Sequence, residues 1–178
     1  MTGVDLSALD VLVVDDHVPM RRILKSVLDH FGIVKVREAR DGTEALTVLA
    51  TFKPDVVITD YLMDPMDGVE LTQAIRDGDT PLSPFTPIIM VSAFTEMERI
   101  FKARDAGINE FLAKPISARL LFYRLRAVAE KPRPYVRTSD FFGPDRRRRA
   151  FDGYGIERRS EPHSYGGGQQ RSGVGRAD

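Results

Sequence analysis

The chain predicts an α/β domain, a five-stranded parallel sheet covered on both faces by helices, and three observations carry that prediction. Strand-like and helix-like segments alternate five times over the first 130 residues. The strand-like runs are continuously apolar rather than alternating, as expected where helices cover both faces of a sheet. Four runs lead straight into reactive side chains: Val11–Val14 into Asp15 and Asp16, Val56–Thr59 into Asp60, Ile88–Val91 into Ser92, and Phe111–Ala113 into Lys114. In a parallel sheet those groups emerge at one edge, where α/β folds build their sites.

Each element has a local reason. After the first strand, Pro19 sits where a first helical turn tolerates it. Met20, Ile23, Leu24, Val27, Leu28 and Phe31 recur at helical spacing, and Gly32 is the expected stop. Val34–Ala39 reads as the second strand, and Thr43–Phe52 as a helix closed by Pro54. The third strand runs from Val56 to Asp60. Asp64-Pro65-Met66-Asp67-Gly68 is a turn-rich loop before a helix from Val69 to Asp77. Asp79–Pro87 is an irregular, proline-rich loop. Pro87–Ser92 and Glu96–Ala106 follow as strand and helix, with Gly107 past the helix end. Glu110–Ala113 is the fifth strand, and Ser117 caps a last helix stopped by Pro132.

Composition divides the chain at the same place. Formal net charge is zero, yet residues 131–178 carry a net of +5 and residues 1–130 a net of −5. The division expected is a domain over residues 8–130 and a flexible, Gly- and Arg-rich tail over 131–178, which lacks a pattern able to bury a core. Absence of cysteine excludes disulfides and thiolate metal sites. With no membrane-length apolar run and no basic leader before an apolar segment, a cytoplasmic location is expected.

The rim residues suggest phosphoryl chemistry. Adjacent carboxylates at Asp15 and Asp16 raise each other's cost of ionisation unless a cation compensates them, and an oxygen-only donor set suits Mg2+. Asp60 can act as a nucleophile toward a phosphoryl group. Ser92 can donate a hydrogen bond to it, and Lys114 can supply positive charge. Taken singly each is ordinary. One Asp at the position of Asp16 more commonly caps a helix, and one at the position of Asp60 more commonly caps a loop. Serines at strand ends such as Ser92 are common, and a lysine such as Lys114 is most often solvated. A cis peptide before Pro115 would aim the lysine at the rim.

Taken together the residues resemble the receiver domain of bacterial two-component response regulators, the CheY-like, flavodoxin-like fold, over roughly residues 10–130. The resemblance implies a sheet order of 2-1-3-4-5 and a phosphoacceptor at Asp60. It implies Mg2+ held by Asp15, Asp16, Asp60 and the backbone of Leu62, with Ser92 and Lys114 on the phosphoryl group. Ser92 and Phe111 would be the switch pair. A histidine kinase or phosphotransfer protein would supply the phosphate, and an unidentified downstream protein or a relay would receive the signal. Leu62 and Phe94 are apolar at positions that vary in the family, and neither can orient a water, so slow self-hydrolysis is expected.

The tail is too short and too weakly patterned for a DNA-binding output domain. It repeats G-x-[DE]-R-R at Gly143–Arg147 and Gly155–Arg159. Besides a plain solvated tail, the pairs Arg146, Arg147 and Arg158, Arg159 suit bidentate binding of an anion. Arginine-rich extensions of some CheY-like proteins bind cyclic di-GMP, and by that similarity a cyclic dinucleotide is a candidate. Two rival readings are a Mg2+-dependent phosphohydrolase with an Asp nucleophile and a receiver-type scaffold that needs no phosphate. The Asp-x-Asp spacing common in the first is absent.

Overall fold

The computed structural model describes residues 5–130, 133–138 and 141–145, all of them within a unit spanning residues 1–147. The strands are β1 (Val11–Val14), β2 (Val36–Ala39), β3 (Val56–Asp60), β4 (Ile88–Ser92) and β5 (Glu110–Ala113). The helices between and after them are α1 (Val18–His30), α2 (Gly42–Leu49), α3 (Gly68–Asp77), α4 (Met97–Ala106) and α5 (Ala118–Glu130). The five strands pair in parallel in the order β2-β1-β3-β4-β5, the expected doubly wound α/β fold.

Every residue of β1, β3 and β4 is buried, because successive side chains enter opposite layers of core. Leu12, Val14, Val57, Ile88 and Met90 belong to one cluster, with Leu49, Leu71 and Ile75 from α2 and α3. Val11, Val13, Ile58, Ile89 and Val91 belong to the other, with Leu24 and Leu28 from α1 and Leu121 and Leu125 from α5. The edge strand β2 carries Arg37 and Glu38, charges that discourage further pairing. Asp67 and Glu70 form a reciprocal capping box at the start of α3.

Described secondary structure continues past residue 130. Tyr135–Arg137 (β6) and Phe142–Pro144 (β7) pair antiparallel, Tyr135 opposite Pro144. This hairpin packs on residues that lead into β4 and β5, at the end of those strands away from Ser92 and Lys114. The rings of Tyr135, Phe142 and Phe85 meet at 5.2–5.7 Å between centroids. Tyr135 Oη donates to Phe85 O at 2.8 Å and accepts from Asn109 Nδ2 at 3.2 Å. Arg133 joins Arg124 on the buried carboxylate of Glu110, each at 2.8 Å. Sequence periodicity missed the hairpin because three-residue strands are too short to show a period, and its anchors lie far away in the chain. Arg146, Arg147, Arg158 and Arg159 lie outside the described residues.

Arg76 is the hub of that docking. It is 2% exposed and has no carboxylate partner among the described contacts. Its guanidinium donates instead to Gly107 O, Pro84 O, Thr86 O and Asn109 Oδ1 at 2.7–3.0 Å. The Tyr135 ring lies over it at 5.3 Å. Gly107 ends α4 with φ +101°, and a Cβ there would stand 2.9 Å from Phe142 O. A residue with a side chain would therefore lift the hairpin from its seat.

Candidate functional site

The strand ends deliver the predicted groups to one place. Asp15 follows β1 and is 1% exposed, Asp60 closes β3, Ser92 closes β4 and is fully buried, and Lys114 follows β5. Lys114 Nζ bridges the carboxylates, 2.9 Å from Asp15 Oδ2 and 2.9 Å from Asp60 Oδ2. The Lys114–Pro115 peptide is cis. Carboxylates 99 and 54 positions before Lys114 in the sequence thus share its ammonium.

The second oxygen of each carboxylate is held by backbone. Asp15 Oδ1 accepts from His17 N at 2.8 Å, and Asp60 Oδ1 accepts from Tyr61 N at 2.8 Å. Burial raises the Asp60 carboxyl above the usual range and the Asp15 charge adds to this, while Lys114 and the Tyr61 amide offset part of it. For Lys114, burial works downward, but the hydrogen bonds and charges of Asp60 and Asp15 outweigh it, and the ammonium sits above its usual value. One lysine shared by two carboxylates leaves the pocket electronegative.

Asp16 is exposed and does not cap α1. His17 is the residue at that cap, without a side-chain cap bond, so the helix-cap reading of Asp16 does not hold. Ligand atoms of Asp15, Asp16 and His17 lie within 4.8 Å of one another. The hydrogen bond and charge of Asp16, 2.8 Å away, raise the His17 imidazole above its usual value and tie the ring to that carboxylate, and Mg2+ prefers oxygen to imidazole donors. The carboxylate oxygens are the donors that remain, and hard oxygen donors fit a small divalent cation such as Mg2+.

Two features shape the rest of the rim. Ser92 Oγ accepts from Phe94 N at 3.0 Å, which leaves its proton available to donate. Gly68 packs against the Asp60 carbonyl so closely that any Cβ would collide with it, and Gly68 N donates to Tyr61 O at 3.1 Å. The loop carrying Leu62, which is 42% exposed, is thereby folded back on the strand end. Phe111 is half-buried against the α2–α3 layer of core.

The match to known proteins follows this geometry. A profile of the response regulator receiver domain fits residues 11–126. The chain belongs to the response regulator receiver family. This CheY-like receiver of two-component signalling is 36% identical over 123 residues to the chemotaxis protein CheY of Pseudomonas aeruginosa, covering 69% of this chain and 98% of that one. Its fold resembles the receiver domain of the Francisella response regulator 1452, with TM-score 0.62 and 30% identity over 68% of this chain and 97% of that one. It also resembles a chain of the CheX-CheY-BeF3-Mg+2 complex from Borrelia burgdorferi, with TM-score 0.58 and 26% identity over 67% and 87%.

The family places this receiver among signalling switches rather than metabolic enzymes. Among the described residues no helix is long and apolar enough to cross a membrane. Sequence reasoning had all the strand-end groups. It missed Arg99, whose guanidinium lies over the Phe94 and Tyr61 rings beside the site. The available signal was an aromatic residue two positions after Ser92 with an arginine five further on.

Proposed function

We propose that this receiver is a phosphorylation-controlled switch in which Asp60 accepts a phosphoryl group from a histidine kinase or phosphotransfer protein. The observation that carries the reading is the bridge of Lys114 Nζ, 2.9 Å from both Asp15 and Asp60. An ammonium tied to the nucleophilic carboxylate is already placed to follow the charge that transfer brings. An Asp60 carboxylate oxygen attacks phosphorus, the bond from phosphorus to the donor's histidine nitrogen breaks, and that nitrogen keeps the electron pair. Ser92 donates its hydroxyl proton as a hydrogen bond to a phosphoryl oxygen, and Lys114 neutralises another.

Asp15, Asp16, Asp60 and the Leu62 carbonyl would hold Mg2+, which supplies charge neutralisation between the anionic carboxylate and the anionic phosphoryl group. Drawing Ser92 toward the phosphate frees space for Phe111, and the surface of α4, β5 and α5 changes with it. Output then passes through a protein contact or onward phosphotransfer in the cytoplasm. Leu62 and Phe94 put no polar group in place to orient water, which supports slow hydrolysis of the acyl phosphate. The pairs Arg146–Arg147 and Arg158–Arg159 are candidates for an anion, a cyclic dinucleotide among them, on their chemistry alone.

The test is intact-protein mass after acetyl phosphate with Mg2+. Gain of one phosphoryl group, lost in Asp60→Ala and without Mg2+, is expected. Wild-type protein that gains nothing from acetyl phosphate, and nothing from a panel of histidine kinases, overturns the reading in favour of a scaffold.

A further inference from the structure

Arg99 stands in an electrostatically awkward place. It lies in the first turn of α4, where the helix dipole disfavours a cation. Its ionic partner there is weak: Glu96 is 3.9 Å away, and the two side chains are 37% and 63% exposed. The guanidinium instead stacks on aromatic faces, 4.0 Å from the Phe94 centroid and 5.7 Å from that of Tyr61.

Those two rings belong to the residues that handle the reactive groups. Tyr61 is buried, and its amide holds Asp60 Oδ1. The Phe94 amide holds Ser92 Oγ. Arg99 therefore completes a chain of contacts running from Asp60 through Tyr61, Arg99 and Phe94 to Ser92. It connects the loop after β3 to the loop after β4 across the mouth of the site.

We propose that Arg99 is a positioning residue for the phosphoryl chemistry. By clamping Phe94 toward Tyr61 it keeps the Phe94 amide on Ser92, so that the serine proton points out as a donor. It also keeps an aromatic wall beside Asp60 that excludes water from the acyl phosphate. The second role rests on Asp60 being the phosphoacceptor; the first does not. Planarity matters, because a guanidinium stacks on a ring while an ammonium is a compact point charge.

The experiment is a double-mutant cycle in the full chain with Arg99→Met and Phe94→Leu, and Arg104→Met as control. Arg104 lies on the same helix and stacks on Phe101, away from the site. Two readouts are used: the lifetime of the phosphorylated form after acetyl phosphate is removed, and amide exchange of Phe94 in unphosphorylated protein. Each single change is expected to shorten the lifetime about fivefold, the worth of one such contact, with the double no worse than the poorer single. Phe94 exchange should quicken about fivefold in Arg99→Met and stay unchanged in Arg104→Met. Lifetime effects that multiply, or Phe94 exchange equal in Arg99→Met and wild type, would overturn the proposal. Wild-type protein that takes no phosphate defeats the Asp60 reading and the water-excluding role with it, and the exchange arm still decides whether Arg99 positions Phe94.

Discussion

Arg76→Met removes a buried guanidinium and leaves a side chain of similar length in its place. Three of its acceptors are buried: Asn109 Oδ1 keeps Ile88 N as a donor, while Gly107 O and Thr86 O each lose one, and a buried carbonyl stripped of its donor costs about 2 kcal/mol. Loss of stacking under Tyr135 adds about 1 kcal/mol. Against this, burial pushes the guanidinium down to about 10, and no longer carrying that charge returns about 3 kcal/mol. The balance is a net loss of about 2 kcal/mol, or a fall in Tm of about 6 °C. Because the folded value is depressed, the charged form is the disfavoured one in the fold. Wild-type stability therefore gains as pH climbs above about 10, and the deficit of the variant widens there. Urea unfolding followed by far-ultraviolet circular dichroism measures the loss. Exchange of the Thr138 and Asp145 amides, which donate to Phe141 O and Pro134 O at 2.8 Å, reports the hairpin. A variant as stable as wild type, with those amides equally protected, would refute the claim that Arg76 holds the hairpin down.

Three further outcomes follow from the same contacts. Gly107→Ala puts a methyl 2.9 Å from Phe142 O in a backbone with φ +101°; a loss of about 1–3 kcal/mol is expected in urea unfolding. Gly68→Ala forces the Asp60 carbonyl and the loop behind it to move, so phosphorylation by acetyl phosphate should slow at least about tenfold by intact-mass time course. In metal-free buffer Asp60→Asn should raise Tm near neutral pH, since burial makes the ionised carboxylate the costly form and Lys114 keeps Asp15 as a partner. That advantage should shrink as pH falls through the raised Asp60 value toward the unfolded one, where wild-type Asp60 is protonated too.

The amino-acid sequence by itself determined the order and type of the five strands and helices, and with them the rim. Continuous apolar runs and proline and glycine stops are local signals. A parallel sheet sends the residues after its strands to one edge whatever the loops do. That is why Asp15, Asp16, Asp60, Ser92 and Lys114 were legible before any coordinates. Only the tertiary structure decided which atoms meet: that one ammonium serves two carboxylates, that Arg99 ties Tyr61 to Phe94, and that β6 and β7 are part of the folded unit. These contacts join residues far apart in the chain, between side chains whose local context is unremarkable. The hairpin shows the reason most clearly. Its strands have no periodicity to display, and their stability comes from Arg76, Phe85, Gly107 and Asn109, which only the completed sheet brings beneath them.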